Sequence, residues 1–265
     1  MKISHESPLS LLKKSREYND YDYALVHLFE DNPYYYDFFK ESVEQGRHVL
    51  LDNSIFELGT AFDSDRYAYW IGKLRPTEYI IPDVLFDADK TIENAREWMG
   101  KYNDLPGKKI GVIQGKSYAD LCKCYEVFDK ELELDKIAIP FDSQYYKDSC
   151  VHPNKWVSLS HGRIQFLSEM LLNGVINKNK PHHLLGCTLP NEFVYYHGDE
   201  FNWIETMDTS NPIVHGLLNI KYEDCGLLNK ETVKLVDLLD ANPNEEQIEI
   251  IMHNIKVFRN LVNGR

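Results

Sequence analysis

Three aspartates and one glutamine stand where short apolar runs of the sequence end. Asp52 ends LLD, Asp83 lies within IIPDVLFD, Gln114 ends GVIQ and Asp208 ends ETMD. A carboxylate at a buried strand end costs free energy unless it is paired or hydrogen-bonded, so three of them indicate a functional role. Two carboxylates can act as nucleophile and general acid/base in glycosidic chemistry, and a third with an amide can bind the donor edge of a polar ring. The alternative is that each aspartate caps the helix that follows it.

These residues need elements that bring them together, and the sequence alternates apolar runs of strand length with longer amphipathic stretches. Such runs are typical of strands that are buried on both faces. The eight runs are YALVHLF (23–29), HVLLD (48–52), EYIIPDVLF (78–86), KIGVIQ (109–114), KIAIPF (136–141), HHLLGC (182–187), WIETMD (203–208) and GLLNIKY (216–222). Strand followed by helix, repeated, predicts parallel strands with right-handed crossovers.

Eight such strands in 265 residues predict the α/β class and a single (β/α)8 TIM barrel over residues 1–265. A doubly wound open sheet is the structural alternative, although no Gly-rich dinucleotide loop follows the first run. The tail predicts a C-terminal helix over 245–262, and the irregular stretch 141–162 predicts an insertion that could serve as a lid. Catalytic groups of such barrels lie at the carboxyl ends of the strands. The residues predicted to share that mouth are Asp52, Asp83, Gln114, Gly186 and Asp208.

Composition restricts the class of partner. The net charge of −13 argues against a protein whose binding depends on non-specific contacts with phosphates, although a local basic patch could still hold a nucleic acid. The candidates for that patch are Lys155, Arg163, Lys178, Lys180, His182 and His183. The N-terminus has no apolar signal region and no run reaches the length of a membrane span, so a cytoplasmic protein without membrane contact is expected.

The segments that carry these polar residues resemble the tRNA-guanine transglycosylases, enzymes that exchange a guanine base for a 7-deazaguanine without breaking the strand. The likeness runs from about residue 48 to the C-terminus. The similar segments are LLDNSIFELG, IIPDVLFD, GVIQG, HHLLGCTLPNEF, ETMDTSNPIVHG and IMHNIKVFRNLV. Each is short, and their order, spacing and common place at strand ends make the match moderately specific.

The resemblance implies a role for each of the four polar residues. Asp208 would be the nucleophile that attacks C1′ of the nucleotide and displaces guanine. Asp52 would remove the proton of the incoming base, and Asp83 and Gln114 would bind the edge of the base. The enzyme would be a pentosyltransferase that works through a covalent glycosyl-aspartate.

The resemblance also implies a pocket for the base. Phe56 would stack on one face of the base, with Leu185 on the opposite face. Gly186 belongs to the segment that would close the pocket. The ligand would be guanine or a 7-deazaguanine, and the chemistry needs neither a redox cofactor nor a metal.

The family's zinc site sets this chain apart from the tRNA enzymes. That site uses three clustered cysteines and the histidine of the last helix, whereas between Asp208 and His253 this sequence has only Cys225. The zinc-binding subdomain is therefore expected to be missing. In this respect the chain resembles the viral branch of the family, in phages, which inserts 7-deazaguanines into DNA. We therefore expect DNA to be favoured over tRNA and, for a viral protein, location in the host cytoplasm. A tRNA substrate and a homodimer are left open.

Three other functions are left open by the sequence. The same pocket could serve a base-releasing N-glycoside hydrolase, in which water replaces the incoming base. It could belong to a non-catalytic base-binding subunit of a transglycosylase. The acids could also belong to an unrelated barrel enzyme that acts on a sugar or a phosphate compound.

Overall fold

Eight parallel strands form one sheet that curls into a nearly closed barrel. A computed structural model describes residues 1–264. The strands are β1 (Lys2–Ser4), β2 (Asp22–Leu25), β3 (Val49–Asp52), β4 (Glu78–Ile80), β5 (Lys108–Val112), β6 (Lys136–Pro140), β7 (His182–Leu185) and β8 (Ile204–Asp208). Their order is β1-β8-β7-β6-β5-β4-β3-β2, and every neighbouring pair is parallel. The predicted (β/α)8 TIM barrel is confirmed.

Helices lie between the strands and pack their apolar faces on the outside of the sheet, where the largest group of buried hydrophobic side chains is found. They are α1 (Leu12–Tyr18), α2 (Leu28–Asp31), α3 (Pro33–Glu44), α4 (Ile55–Leu58), α5 (Ser64–Leu74), α6 (Ala88–Lys101), α7 (Tyr118–Glu126), α8 (Gln144–Ser149), α9 (Lys155–Leu172), α10 (Asn211–Leu217) and α11 (Glu245–Val262). The last helix covers the range expected from the sequence. No helix in residues 1–264 is long and apolar enough to cross a membrane.

The first and second strands close the barrel through the segment between them. The backbone N–H of Asp20 donates to the carbonyl of Ile3 at 2.9 Å. The Asn19 side chain accepts from the backbone N–H of His5 at 2.7 Å and donates to its carbonyl at 3.0 Å. These bonds satisfy backbone groups that would otherwise form an open sheet edge.

The strand count is right, but two of the strands differ from the prediction. Residues 216–222 are not a strand. They end α10 and turn through Asn219, which has a positive φ of 60°, into a short helical segment. Gly216 sits so close to Ile251 of α11 that a Cβ would lie 2.3 Å from its side chain, so this apolar run packs on a helix. The eighth strand is β1, which has only three residues and no visible periodicity.

The stretch 141–162, predicted to be irregular, is mostly helical, and its role as an insertion or lid stays a prediction. Ser143 caps α8 and Asn154 caps α9, each by accepting a backbone N–H of the first turn. Helix α9 therefore begins at Lys155, within the stretch predicted to be irregular. Tyr146 of α8 is fully buried and anchors the segment in the core.

Candidate active site

The carboxyl ends of the strands open into a cavity of about 450 Å³, within the usual range for small-molecule sites. The sequence predicted seven residues for this place, and all seven line the cavity. They are Asp52, Phe56, Asp83, Gln114, Leu185, Gly186 and Asp208. Their convergence follows from the barrel, because the carboxyl ends of parallel strands meet at one mouth.

Asp208, the last residue of β8, points into the cavity and is only 4% exposed. Its Oδ1 atom lies 2.9 Å from His183 Nε2 and accepts from the backbone N–H of Gly186 at 3.1 Å. Among the described residues, none donates a hydrogen bond to the second oxygen, Oδ2. A carboxylate held by one oxygen with the other left for a ligand has the arrangement that a nucleophile requires.

Asp52 ends β3 and has both oxygens bonded. Oδ2 accepts from the Tyr23 hydroxyl at 2.7 Å, and Oδ1 accepts from the backbone N–H of Ser54 at 2.6 Å. Burial and then the charge of Glu57 hold the pKa of Asp52 well above its usual range, against the lowering effect of these two donors. A raised pKa favours the protonated form, so Asp52 suits a group that gives a proton and later takes one back.

Asp83 and Gln114 form one hydrogen-bonded unit. The Gln114 amide donates to Asp83 Oδ2 at 2.7 Å, and Asn53 donates to Oδ1 at 2.8 Å. Gln114 is oriented in turn by the backbone N–H of Phe86, which donates to its Oε1 at 2.9 Å. Burial raises the pKa of Asp83 to about 6, although both amide donors lower it. The unit presents acceptor and donor groups side by side, as the edge of a purine-like ring requires.

The alternative that the three aspartates are helix caps is wrong. Ser54 precedes α4 and Ser210 precedes α10, both without a side-chain cap. Helix α6 is capped by Asp87, which accepts from the backbone N–H of Lys90. The carboxylate oxygens of Asp52, Asp83 and Asp208 therefore form their hydrogen bonds within the cavity and do not cap helices.

The aromatic wall differs in detail from the expected arrangement. Phe56 is 42% exposed at the rim, and its ring meets Phe141 in a T-shaped contact at 5.2 Å between centroids. Leu185 lies on the inner face of β7. Gly186 has a φ of 69°, and a Cβ there would lie 2.5 Å from the Phe141 ring, so only glycine fits. Phe141, which was not predicted from the sequence, therefore contacts Phe56 and packs beside Gly186 in the cavity wall.

A segment over residues 230–236 completes the cavity wall. Lys230 donates to the Cys187 carbonyl at 2.6 Å, and its ammonium lies 4.1 Å from the centroid of Phe141. Lys234 donates to the Phe56 carbonyl at 3.1 Å and lies 4.7 Å from the centroid of that ring. The side chains of Lys230 and Lys234 thus hold this segment against the rings of Phe141 and Phe56.

Glu6 is a cavity-lining residue that was not predicted from the strand ends. Glu6 follows β1 by two residues and lines the cavity. Burial, followed by the charges of Asp208, Glu57 and Asp52, holds its pKa well above the usual range. Recognition of Lys2–Ser4 as a strand would have identified Glu6 by the same argument as the aspartates.

The basic patch expected near the mouth is not present as a unit. Arg163 is fully buried and pairs with Glu192 at 2.5 Å, while donating to the carbonyl of Gly186 at 3.1 Å. His182 and His183 are also fully buried. Of the candidates, Lys155 lies beside the cavity, with its ammonium 4.2 Å from the ring centroid of Trp156, a lining residue.

His253, the residue matched to the family's zinc ligand, contacts both carboxylate oxygens of Glu223 at 2.8 Å. Cys225 is exposed. Over residues 1–264, no group of three or more histidine, cysteine or carboxylate side chains is placed to hold a metal ion. A histidine–glutamate hydrogen bond therefore occupies the position that the resemblance assigns to a zinc ligand.

No protein-family model matches the sequence, and no curated protein is significantly similar to it. The function is therefore inferred from the short segments and from the geometry of the cavity.

Proposed function

We propose that the protein is a transglycosylase that exchanges guanine for a 7-deazaguanine in a nucleic acid through a covalent glycosyl-aspartate. The observation that carries the proposal is Asp208, which lines the 450 Å³ cavity with Oδ1 held by His183 Nε2 and the Gly186 N–H, while no described residue donates to Oδ2. The same cavity holds a second carboxyl group, whose pKa is raised by burial, and a carboxylate–amide pair. Those three features supply a nucleophile, an acid/base and a base-reading edge.

In the first half of the reaction, Oδ2 of Asp208 attacks C1′ of the target nucleotide. A bond forms between Oδ2 and C1′, the bond from C1′ to N9 of guanine breaks, and its electron pair leaves with the base. Asp52 gives its proton to the departing guanine, a step that its raised pKa supports. The product is a glycosyl ester on the enzyme and free guanine.

In the second half, the 7-deazaguanine takes the place of guanine. Asp52, now ionised, removes the proton from N9 of the incoming base as N9 attacks C1′. The ester bond to Asp208 breaks and the carboxylate is restored. Asp83 and Gln114 hold the edge of both bases, so leaving and entering rings occupy one position.

For the polymer, we propose DNA in preference to tRNA. The support is the resemblance to the viral branch of the family and the hydrogen bond of His253 with Glu223 at the position of the zinc ligand. Phe56, exposed at the rim, can stack on a base that has left the helix, and an unpaired base is the least costly to extract.

The test is incorporation of labelled base. The protein is incubated with radiolabelled guanine and equal concentrations of single-stranded DNA, duplex DNA and tRNA, and each polymer is then counted. We expect label in DNA, most of all in the single strand. Label mainly in tRNA would contradict the choice of polymer and leave the exchange chemistry standing.

A second measurement addresses the chemistry itself. Mass spectrometry of a quenched reaction should reveal a protein–DNA adduct whose bond maps to the peptide that contains Asp208. Release of guanine without incorporation would show a hydrolase, and absence of both adduct and incorporation would refute the proposed exchange.

A further inference from the structure

A chain of buried polar groups runs along the barrel interior and ends at Asp208. We infer that His183 is a positioning residue that holds the Asp208 carboxylate, and that Lys136 and Thr206 fix its imidazole in the Nε2–H tautomer. The catalytic part of this inference rests on the proposed function, whereas the tautomer does not. All three supporting side chains are at most 1% exposed.

The tautomer follows from the order of donors. Lys136 can only donate, and its ammonium lies 2.8 Å from Glu78, 2.9 Å from Glu205 and 3.4 Å from the Thr206 hydroxyl oxygen. With one lone pair of Thr206 facing that ammonium, the hydroxyl proton is free to be donated to His183 Nδ1, which lies 2.9 Å away. Because Nε2 must donate to the Asp208 carboxylate, Nδ1 of the neutral ring is the nitrogen that accepts.

A neutral imidazole that accepts at Nδ1 carries its proton on Nε2. Nε2 lies 2.9 Å from Asp208 Oδ1, a carboxylate oxygen that can only accept while it is ionised. Thr206 and His183 thus each accept one hydrogen bond and donate one, and the last bond is donated to the proposed nucleophile. The alternative tautomer would place a lone pair against the Asp208 carboxylate.

The orientation of the ring is fixed by packing as well. The Tyr23 ring stacks on His183 at 6.2 Å between centroids and 14° between planes. The Tyr23 hydroxyl is the same group that donates to Asp52 Oδ2. One aromatic side chain therefore supports both aspartates of the proposed mechanism.

The consequence for Asp208 is a fixed carboxylate plane. Oδ1 is held by His183 Nε2 and by the Gly186 backbone N–H, so rotation about the Cβ–Cγ bond would break two hydrogen bonds. Oδ2 then stays directed at the cavity. Without His183 the carboxylate could turn, and fewer collisions with C1′ would be productive.

The tautomer can be measured in the free protein by ¹⁵N nuclear magnetic resonance on histidine-labelled samples. His183→Gln identifies the resonances by their loss among the ten histidines. We expect an unprotonated Nδ1 and a protonated Nε2, retained in Thr206→Ser and altered in Thr206→Val, which lacks the hydroxyl. A protonated Nδ1 in the wild-type protein, in either a neutral or a charged ring, would overturn the assignment.

The role in the reaction is measured by the rate of adduct formation. His183→Leu and Thr206→Val should slow it by about tenfold to a hundredfold, the usual cost of losing a partner that orients a functional group. The KM for the base should not change, and Thr206→Ser should restore the rate. His182→Gln is the matched control, because that histidine is the preceding residue of β7 and contacts Tyr125 and Trp203 outside the barrel.

The outcomes separate the two proposals. A folded Thr206→Val protein with the wild-type adduct rate would overturn the positioning role while the exchange chemistry stood. Absence of any adduct in the wild-type protein would refute the proposed function. The nuclear magnetic resonance measurement on the free protein would still decide the tautomer. That measurement does not depend on whether His183→Leu folds.

Discussion

The two ends of the barrel interior hold buried carboxylates in opposite ways. At the amino end, Glu78 contacts both Lys136 and His48 at 2.8 Å. Burial raises the pKa of Glu78, but the His48 hydrogen bond and the Lys136 charge outweigh it and lower the pKa to about 2. At the carboxyl end, within residues 1–264, no lysine or arginine lies within ion-pair distance of Asp52 or Asp83. Burial there raises both pKa values.

The difference separates groups that stabilise the fold from groups that are available for chemistry. A paired carboxylate such as Glu78 is ionised and committed to its partner. A carboxylate held by neutral donors keeps a pKa that can approach the working pH, and it can exchange a proton or bind a ligand at a cost in stability. The mouth is therefore expected to be sensitive in activity and the amino end in folding.

The largest expected effect is on activity at the mouth. Asp208→Asn should lower base exchange by at least about a thousandfold, because the amide cannot form the glycosyl ester. The amide oxygen can still accept from His183 and Gly186, so we expect the thermal midpoint to stay equal or to rise. Label incorporation and thermal unfolding of the same samples check both parts. Near-normal turnover by a folded variant would remove Asp208 from the mechanism.

At the amino end the larger effect should be on stability. Lys136→Met leaves Glu78 buried without its main counter-charge, and breaking a buried pair in this way costs about 3–5 kcal/mol of unfolding free energy. Urea unfolding of the variant beside Asp208→Asn gives the comparison directly. If Lys136→Met were as stable as the wild type, the distinction between the two ends would fail.

Most of the residues at the mouth could be predicted because the ends of barrel strands can be recognised in the sequence. Asp52, Gln114 and Asp208 follow apolar runs, and parallel strands then bring them to one place whatever their spacing in the chain. The strand predicted over 78–86 was too long, since β4 ends at Ile80. Asp83 nevertheless comes shortly after this strand and lines the cavity.

What the sequence missed has a physical cause in each case. The strand β1 is three residues long, too short for periodicity, so Glu6 was not seen. In β7 both faces are buried, so nothing in HHLL tells which histidine points inward. His183 faces Asp208 and His182 stacks on Tyr125, and only the register of the sheet decides between them.

The pH dependence of stability sharpens the comparison further. The pKa of Asp83 is about 6 in the fold and about 3.9 in an unfolded chain, so the stability that its protonated form contributes is present below pH 4 and lost as pH rises through 6. The difference corresponds to about 3 kcal/mol. Asp83→Asn does not titrate, so its stability relative to wild type should increase between pH 4 and 6 and then level off.

For Glu78 the sign is reversed. Its folded pKa of about 2 is below the unfolded value, so it contributes stability above about pH 4.5 that is lost as pH falls towards 2. Urea unfolding of wild type and Asp83→Asn at several pH values separates the two contributions. A constant difference between the two proteins from pH 4 to 7 would contradict the raised pKa of Asp83.

The smallest effect expected is on the choice of base. Asp83→Ala and Gln114→Ala each remove one side of the unit that would read the base edge, and the remaining partner is left with an unpaired buried group. The preference for guanine over adenine, as the ratio of kcat/KM in label incorporation, should fall by about tenfold to a hundredfold in each variant. Gln165→Ala, an exposed glutamine on α9, is the matched control for loss of a side-chain amide. Wild-type selectivity in both cavity variants would show that the pair supports the mouth without reading the base. If both variants lost selectivity and also had a lower thermal midpoint, Asp83 and Gln114 would instead stabilise the fold, as the paired groups of the amino end do.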